Sequence, residues 1–178
     1  MAMLKIIDNP NNDIPLVTVL RSVIGGFTDN ELLEIKLGNK KSSYYEAIYG
    51  YLKSVGNVAL VVPSTKQGVC NTPLQNKIRA FLTLHYDLAS KSEHLKLHEL
   101  IWYIYEKTGY FSYVSSMANG ELKVANLKRL FEKAKEYESS SLKGLSYFIN
   151  YLDKISKSSG DTSRSGEDNT VKTKMLLE

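Results

Sequence analysis

The chain has 178 residues, 43% hydrophobic and 24% charged, and 23 basic against 19 acidic side chains give a net charge of +4. That is enough apolar material for one domain with one core, and too little chain for an enzyme of several domains. With 12 tyrosines, only 4 prolines and 11 glycines, the composition argues against a disordered or collagen-like body, and the small positive excess is compatible with nucleic acid without demanding it.

Leu4, Ile6 and Ile7 read as the last turn of an apolar helix that starts upstream, stopped by the turn cluster Asn9 to Asp13. Leu16, Val19, Leu20 and Val23 recur at helical spacing and predict a short helix over 14–23, ended by Gly25-Gly26. Thr28 and Glu31 form a capping box that opens a helix carrying Leu32, Leu33, Ile35 and Leu37 and ending near Gly38. Ser43 and Glu46 repeat the pattern before Tyr45, Ile48, Tyr49 and Leu52, predicting a helix to about Lys53.

Residues 56–72 read best as a loop or partly helical insertion, because a lone strand there has no partner for its hydrogen bonds. Thr72, Pro73 and Gln75 supply a cap, a first-turn proline and a capping-box partner for a helix bearing Leu74, Ile78, Phe81, Leu82, His85 and Leu88. A polar break over Ser90 to Glu93 separates it from Leu97, Leu100, Ile101, Ile104 and Tyr105, which stop before Gly109.

Tyr110, Phe111, Val114 and Met117 predict a short helix with its aromatics inward, broken at Asn119-Gly120. Leu122, Leu127, Leu130, Phe131 and Ala134 mark a long helix over 121–138. Leu142, Leu145, Phe148, Ile149, Leu152 and Ile155 mark a last one over 141–156, packed antiparallel on it. The expected fold is therefore all-α, an irregular bundle of about seven to eight helices. The domain is expected over 1–156, with a flexible polar linker from 157 and, at Leu177-Glu178, the kind of remnant a tag leaves.

Cys70 is the only cysteine, so no internal disulfide or cysteine-built metal site can form, and a reducing, cytoplasmic location is expected. No apolar run approaches the roughly 20 residues of a membrane span. A Walker loop is missing: Gly25-Gly26 supplies two glycines but no lysine, and follows a helix rather than a strand. His94 and His98 share a helical face but lack a third and fourth ligand, so helix-end histidines are expected, not a metal site. Asp8, Asp13, Asp29 and Asp87 sit in turns or at caps and form no convergent set, and Tyr44, Tyr45, Tyr49 and Tyr51 divide between helix faces as packing residues do.

The lysines and arginine of 121–138 alternate with glutamates, as on a solvated surface. The candidate DNA contacts are elsewhere: Arg21 beside the Gly25-Gly26 turn, the helix start at Thr28, and the Lys40-Lys41 pair. Small residues let a backbone approach phosphates, and a helix start presents free amides.

Residues 5–37, KIIDNPNNDIPLVTVLRSVIGGFTDNELLEIKL, resemble the helicase component, AddA, of the AddAB (RexAB) ATP-dependent helicase/nuclease, in the section inserted between its helicase motifs. Further likeness runs through 97–113, 125–138 and 142–152, while 44–52 matches loosely and 54–91 poorly. The resemblance implies an accessory subdomain of the 2B type in a UvrD-like superfamily 1 helicase: helical, and pivoting over the duplex ahead of the separation point. In relatives a Gly-x-Gly turn touches duplex phosphates; the matching place here is Gly25-Gly26-Phe27, which departs from that pattern. Val171 to Met175 resembles the start of a strand leading into the next helicase motif.

By this resemblance the complete protein couples ATP hydrolysis, with Mg2+, to DNA unwinding and end resection in double-strand-break repair and homologous recombination, beside an AddB (RexB)-type partner subunit. This chain itself would be no enzyme and hold no cofactor or metal; it would meet double-stranded DNA through weak backbone contacts. The alternative is a docking domain that never touches DNA and meets only the motor domains or the partner subunit.

Overall fold

The structure, a computed structural model, describes residues 1–38, 40–55, 72–139 and 144–157. The described residues are helical with no strand: α1 (Ala2–Asp8), α2 (Asp13–Arg21), α3 (Asp29–Leu37), α4 (Tyr44–Val55), α5 (Pro73–Ser92), α6 (Leu97–Thr108), α7 (Tyr110–Ser115), α8 (Gly120–Glu138) and α9 (145–157). The all-α expectation is met, and short α1 brings the number among the described residues to nine. The insertion over 56–71, Leu142, and the linker and strand start beyond 157 lie outside the described residues.

Two groups of helices share the core. In the first, α1 packs on α2, and α2 and α3 both pack on α4; in the second, α6, α7 and α8 pack on one another. The 20-residue α5 joins them by touching α1 and α6. At 7 residues α1 is too short to persist alone. Burial of Met3, Leu4, Ile6 and Ile7 holds it in place, at about 2 kcal/mol for each side chain removed from water. Lys5 adds an ion pair to Asp153 at 2.8 Å, and Ser146 donates its hydroxyl to Asp8, so α9 closes over α1. Tyr137 of α8 meets Phe148 of α9 at 5.2 Å between ring centres, which fits the expected pairing of the last two helices.

His85 fills a gap that the sequence creates. The carbonyl of Ile6 stands four residues before Pro10, which has no N–H to give it. Buried His85 of α5 supplies the donor from Nε2 at 2.9 Å, which fixes the proton on that nitrogen.

All three predicted capping boxes close, at Thr28–Glu31, Ser43–Glu46 and Thr72–Gln75. Several boundaries and faces differ. The helix expected over 14–23 stops at Arg21, because Ser22 turns extended (ψ 172°) while its amide and hydroxyl both bond the Val19 carbonyl; Val23 is left at the surface. No break falls at Ser90, since α5 runs through Ser92 with its polar residues toward solvent. Met117, just past the end of α7, is exposed rather than inward, as are Leu33, Leu37 and Leu122, which sit on the outer sides of α3 and α8 or at their ends. The last helix begins at 145, after Gly144.

Candidate nucleic-acid interface

The turn between α2 and α3 forms because two glycines let the chain double back on α2. A Cβ on Gly25 would stand 2.4 Å from the carbonyl oxygen of Leu20, so no other residue fits there without moving backbone. Gly26 takes the left-handed conformation (φ +66°), and its amide bonds Ser22 O at 2.7 Å. Phe27 then donates its amide to Leu20 O at 2.9 Å and drops its ring into the core, edge-on to Phe81 at 6.3 Å.

Of the residues expected to meet DNA, the structure brings together Arg21, Gly25, Gly26 and Thr28, and the polar side chains among them, Arg21 and Thr28, are already engaged. Arg21 grips Asp29 in a fork, Nε to Oδ1 at 2.9 Å and Nη2 to Oδ2 at 3.1 Å. Thr28 donates its amide to Glu31 Oε2 at 2.8 Å, and Glu31 returns its own amide to the Thr28 hydroxyl at 3.3 Å. Two amides at the start of α3, those of Thr28 and Glu31, are therefore already taken within the chain.

Lys77 of α5 completes the cluster from across the fold. Its Nζ donates to the Gly26 carbonyl at 2.9 Å and to the two Glu31 oxygens at 2.8 and 2.9 Å, and lies 5.8 Å from the centre of the Phe27 ring. The Lys77 hydrogen bond, followed by the Thr28 amide, holds the Glu31 carboxyl below its usual range. Arg21 and Lys77 are thus matched by Asp29 and Glu31, and the turn carries no net charge.

Lys40 and Lys41 lie in the connection from α3 to α4, at the opposite end of α3 from Thr28. A helix of nine residues, about 13 Å long, separates the two places. Both lysines are exposed and have no ion pair or hydrogen bond among the described residues. Nearby Lys36 donates to the Ser42 carbonyl and lies 4.9 Å from the Tyr44 ring centre. The uncompensated positive charge of this region belongs to Lys40-Lys41 and not to the glycine turn.

Other sequence candidates are engaged in packing. His98 directs Nδ1 to Glu138, which also accepts the His98 amide and so caps α6. His94 is exposed, and among the described residues no three His, Cys, Asp or Glu side chains are grouped to hold a metal. Asp13 accepts the Tyr44 amide at 2.7 Å, and Asp87 accepts the Tyr103 hydroxyl at 2.8 Å. No described helix is long and apolar enough to cross a membrane.

No family model matches the chain. It is similar to the AddA-type ATP-dependent helicase/nucleases of three clostridia: 38% identical over 161 residues to that of Clostridioides difficile strain 630, 40% over 177 residues to that of Clostridium botulinum strain Loch Maree, and 41% over 162 residues to that of Clostridium novyi strain NT. Each match covers 90% of this chain. This chain is homologous to a segment of the AddA helicase/nuclease. It spans only 12–13% of the length of those relatives.

In this chain the turn's most consequential residue, Lys77, is one that sequence reasoning passed over. Its place in the first turns of α5 was visible from the Thr72 capping box, but its partners lie 46 and 51 residues away. Phe27 was equally silent: one aromatic after two glycines gives no sign that its ring is the anchor.

Proposed function

We propose that this chain is a non-catalytic accessory domain, of the 2B type and spanning 1–156, of an ATP-dependent DNA helicase/nuclease that works in double-strand-break repair in the cytoplasm. Its work is to hold or steer duplex DNA by the sugar-phosphate backbone while the rest of the protein supplies ATP, Mg2+ and the motor and nuclease chemistry. The homology to the AddA helicase/nuclease carries this reading. The free Lys40-Lys41 pair and the forked Arg21 beside a turn without side chains support the contact itself, since backbone contacts position a duplex without reading its sequence.

Titration of the chain with duplex DNA at two salt concentrations tests the proposal. Dissociation constants on the order of 10⁻⁴ to 10⁻⁶ M, weakening as salt rises, are expected. Replacement of Lys40 and Lys41 by glutamine weakens binding equally for all sequences and flattens the salt dependence; salt-independent binding contradicts the electrostatic contact.

A second reading rests on Trp102, which is 49% exposed on α6 with Phe111 and Phe131 at 5.8 and 6.0 Å between ring centres. An aromatic cluster left half in water is a surface on which the motor domains or an AddB-type partner would dock. In the complete helicase, variants of Arg21, Lys40 and Lys41 separate the two. Lost unwinding with ATPase retained supports DNA steering, whereas lost assembly with the partner supports docking.

A further inference from the structure

We infer that Arg21 is an exchangeable phosphate ligand whose seat is kept by Asp29: on a duplex, Arg21 leaves the carboxylate for a backbone phosphate, while Lys77 and Glu31 hold the turn in shape. The inference rests on the duplex-contact reading above and adds to it the identity of the internal competitor.

The two ion pairs of the turn differ in kind. Arg21 and Asp29 have side chains 57% and 73% exposed, so their attraction is screened and weak even though the fork is well formed. The same planar fork fits two oxygens of a phosphodiester as well as two of a carboxylate. Asp29 loses little when left behind, because it is the first residue of α3, where a negative charge is favoured by the helix dipole and largely exposed to water. Lys77 and Glu31 are more enclosed, at 38% and 22%, and the ammonium is held by three acceptors including the turn's own carbonyl. Moving Lys77 would release the turn; moving Arg21 breaks one exposed pair.

This arrangement has a consequence for salt dependence. When Arg21 exchanges partners, the Asp29 carboxylate it leaves behind stays close to the duplex and opposes the contact, so the contact forms on only part of the bound molecules. Take away the carboxylate and the contact forms more fully, with its counterion released. In the Asp29→Asn variant the slope of log K against log salt should therefore steepen, by no more than the about 0.9 of one phosphate contact. Affinity at 50 mM salt should rise roughly fourfold, the effect of one unit charge about 5 Å away in water.

The experiment is fluorescence anisotropy of the chain with a labelled duplex from 50 to 200 mM salt, for the wild type, D29N, R21Q, D29N/R21Q and K40Q/K41Q. Tighter binding and a steeper slope for D29N, both abolished in D29N/R21Q, are expected. Thermal melting of each variant checks that the fold is kept. If R21Q and K40Q/K41Q weaken binding while D29N changes nothing, or if the D29N gain survives R21Q, the exchange is overturned and the duplex contact stands. If no variant alters binding, both fall.

Discussion

Lys77, in the second turn of α5, donates to the carbonyl of Gly26 at 2.9 Å and so ties the glycine turn to a residue 51 positions later in the chain. The same ammonium pairs with Glu31, whose carboxylate caps α3. One side chain therefore fixes the turn and, through Glu31, the start of the helix that follows.

Replacing Lys77 with methionine keeps the aliphatic stem over Phe27 and removes the charge. Hydrogen bonds to charged groups contribute about 1.5–3 kcal/mol, and with a side chain 38% exposed the expected loss is discounted to about 1 kcal/mol. Urea unfolding of K77M, E31Q and the double variant measures it. A coupling energy near 0.5–1 kcal/mol is expected; additive effects would mean that the two groups do not act through each other.

The two glycines of the turn should differ sharply on substitution. Gly25→Ala puts a methyl 2.4 Å from Leu20 O and 2.6 Å from Leu20 Cα, and Leu20 is fully buried, so backbone must move in the core. A cost of about 3 kcal/mol, at the upper end for overpacking, is expected. Gly26→Ala meets no atom within 4 Å and bears only the strain of φ +66°, about 1 kcal/mol. Equal destabilisation of the two in urea would show that the close approach of Gly25 to α2 is not what shapes the turn.

These residues also mark where sequence reading reaches and where it stops. The capping boxes at Thr28, Ser43 and Thr72 were legible because each is closed within three residues, so side-chain chemistry and spacing decide it locally. Helix faces were mostly legible from periodicity. Leu33, Leu37 and Leu122 failed because an apolar residue on the outer side of a helix looks the same in one dimension as one on the inner side. Arg21 was read as a cation ready for phosphate, yet whether it is free depends on how the intervening turn folds back to present Asp29. Lys77–Gly26, His85–Ile6 and Lys5–Asp153 join residues 51, 79 and 148 positions apart, and nothing in a neighbouring residue type announces such a meeting.

His85 should be more than filler. Replacing it with leucine leaves the Ile6 carbonyl buried with no donor, because Pro10 cannot provide one, at a cost of about 1–3 kcal/mol. Tyr45 and Phe81, at 5.6 and 6.3 Å from the imidazole centre, close the site around the gap. The damage should be local as well: amides of α1 exchange faster with deuterium in His85→Leu, and His85→Gln, which can still donate, recovers part of the protection. Unchanged α1 exchange in the leucine variant would refute the assignment.

Glu31 sets the response of the turn to acid. Its carboxyl titrates below the usual glutamate value of about 4.5, first because Lys77 donates to it and then because Thr28 does. A carboxyl with a lowered pKa in the fold binds fewer protons there than in the unfolded chain over the interval between the two values, so stability rises with pH through that interval. The contribution is complete above about pH 4.5 and is lost as pH falls through the lower, folded value. Stability of wild type and E31Q, followed in urea at pH 3, 4, 5 and 7, should therefore differ by a constant amount at pH 5 and 7 and converge toward pH 3. In the K77M background the convergence should move to higher pH, because the first cause of the lowered value has been removed. A gap between wild type and E31Q that stays constant down to pH 3 would mean that Glu31 is not held by Lys77 in solution, and the pinned turn on which the exchange of Arg21 depends would lose its support.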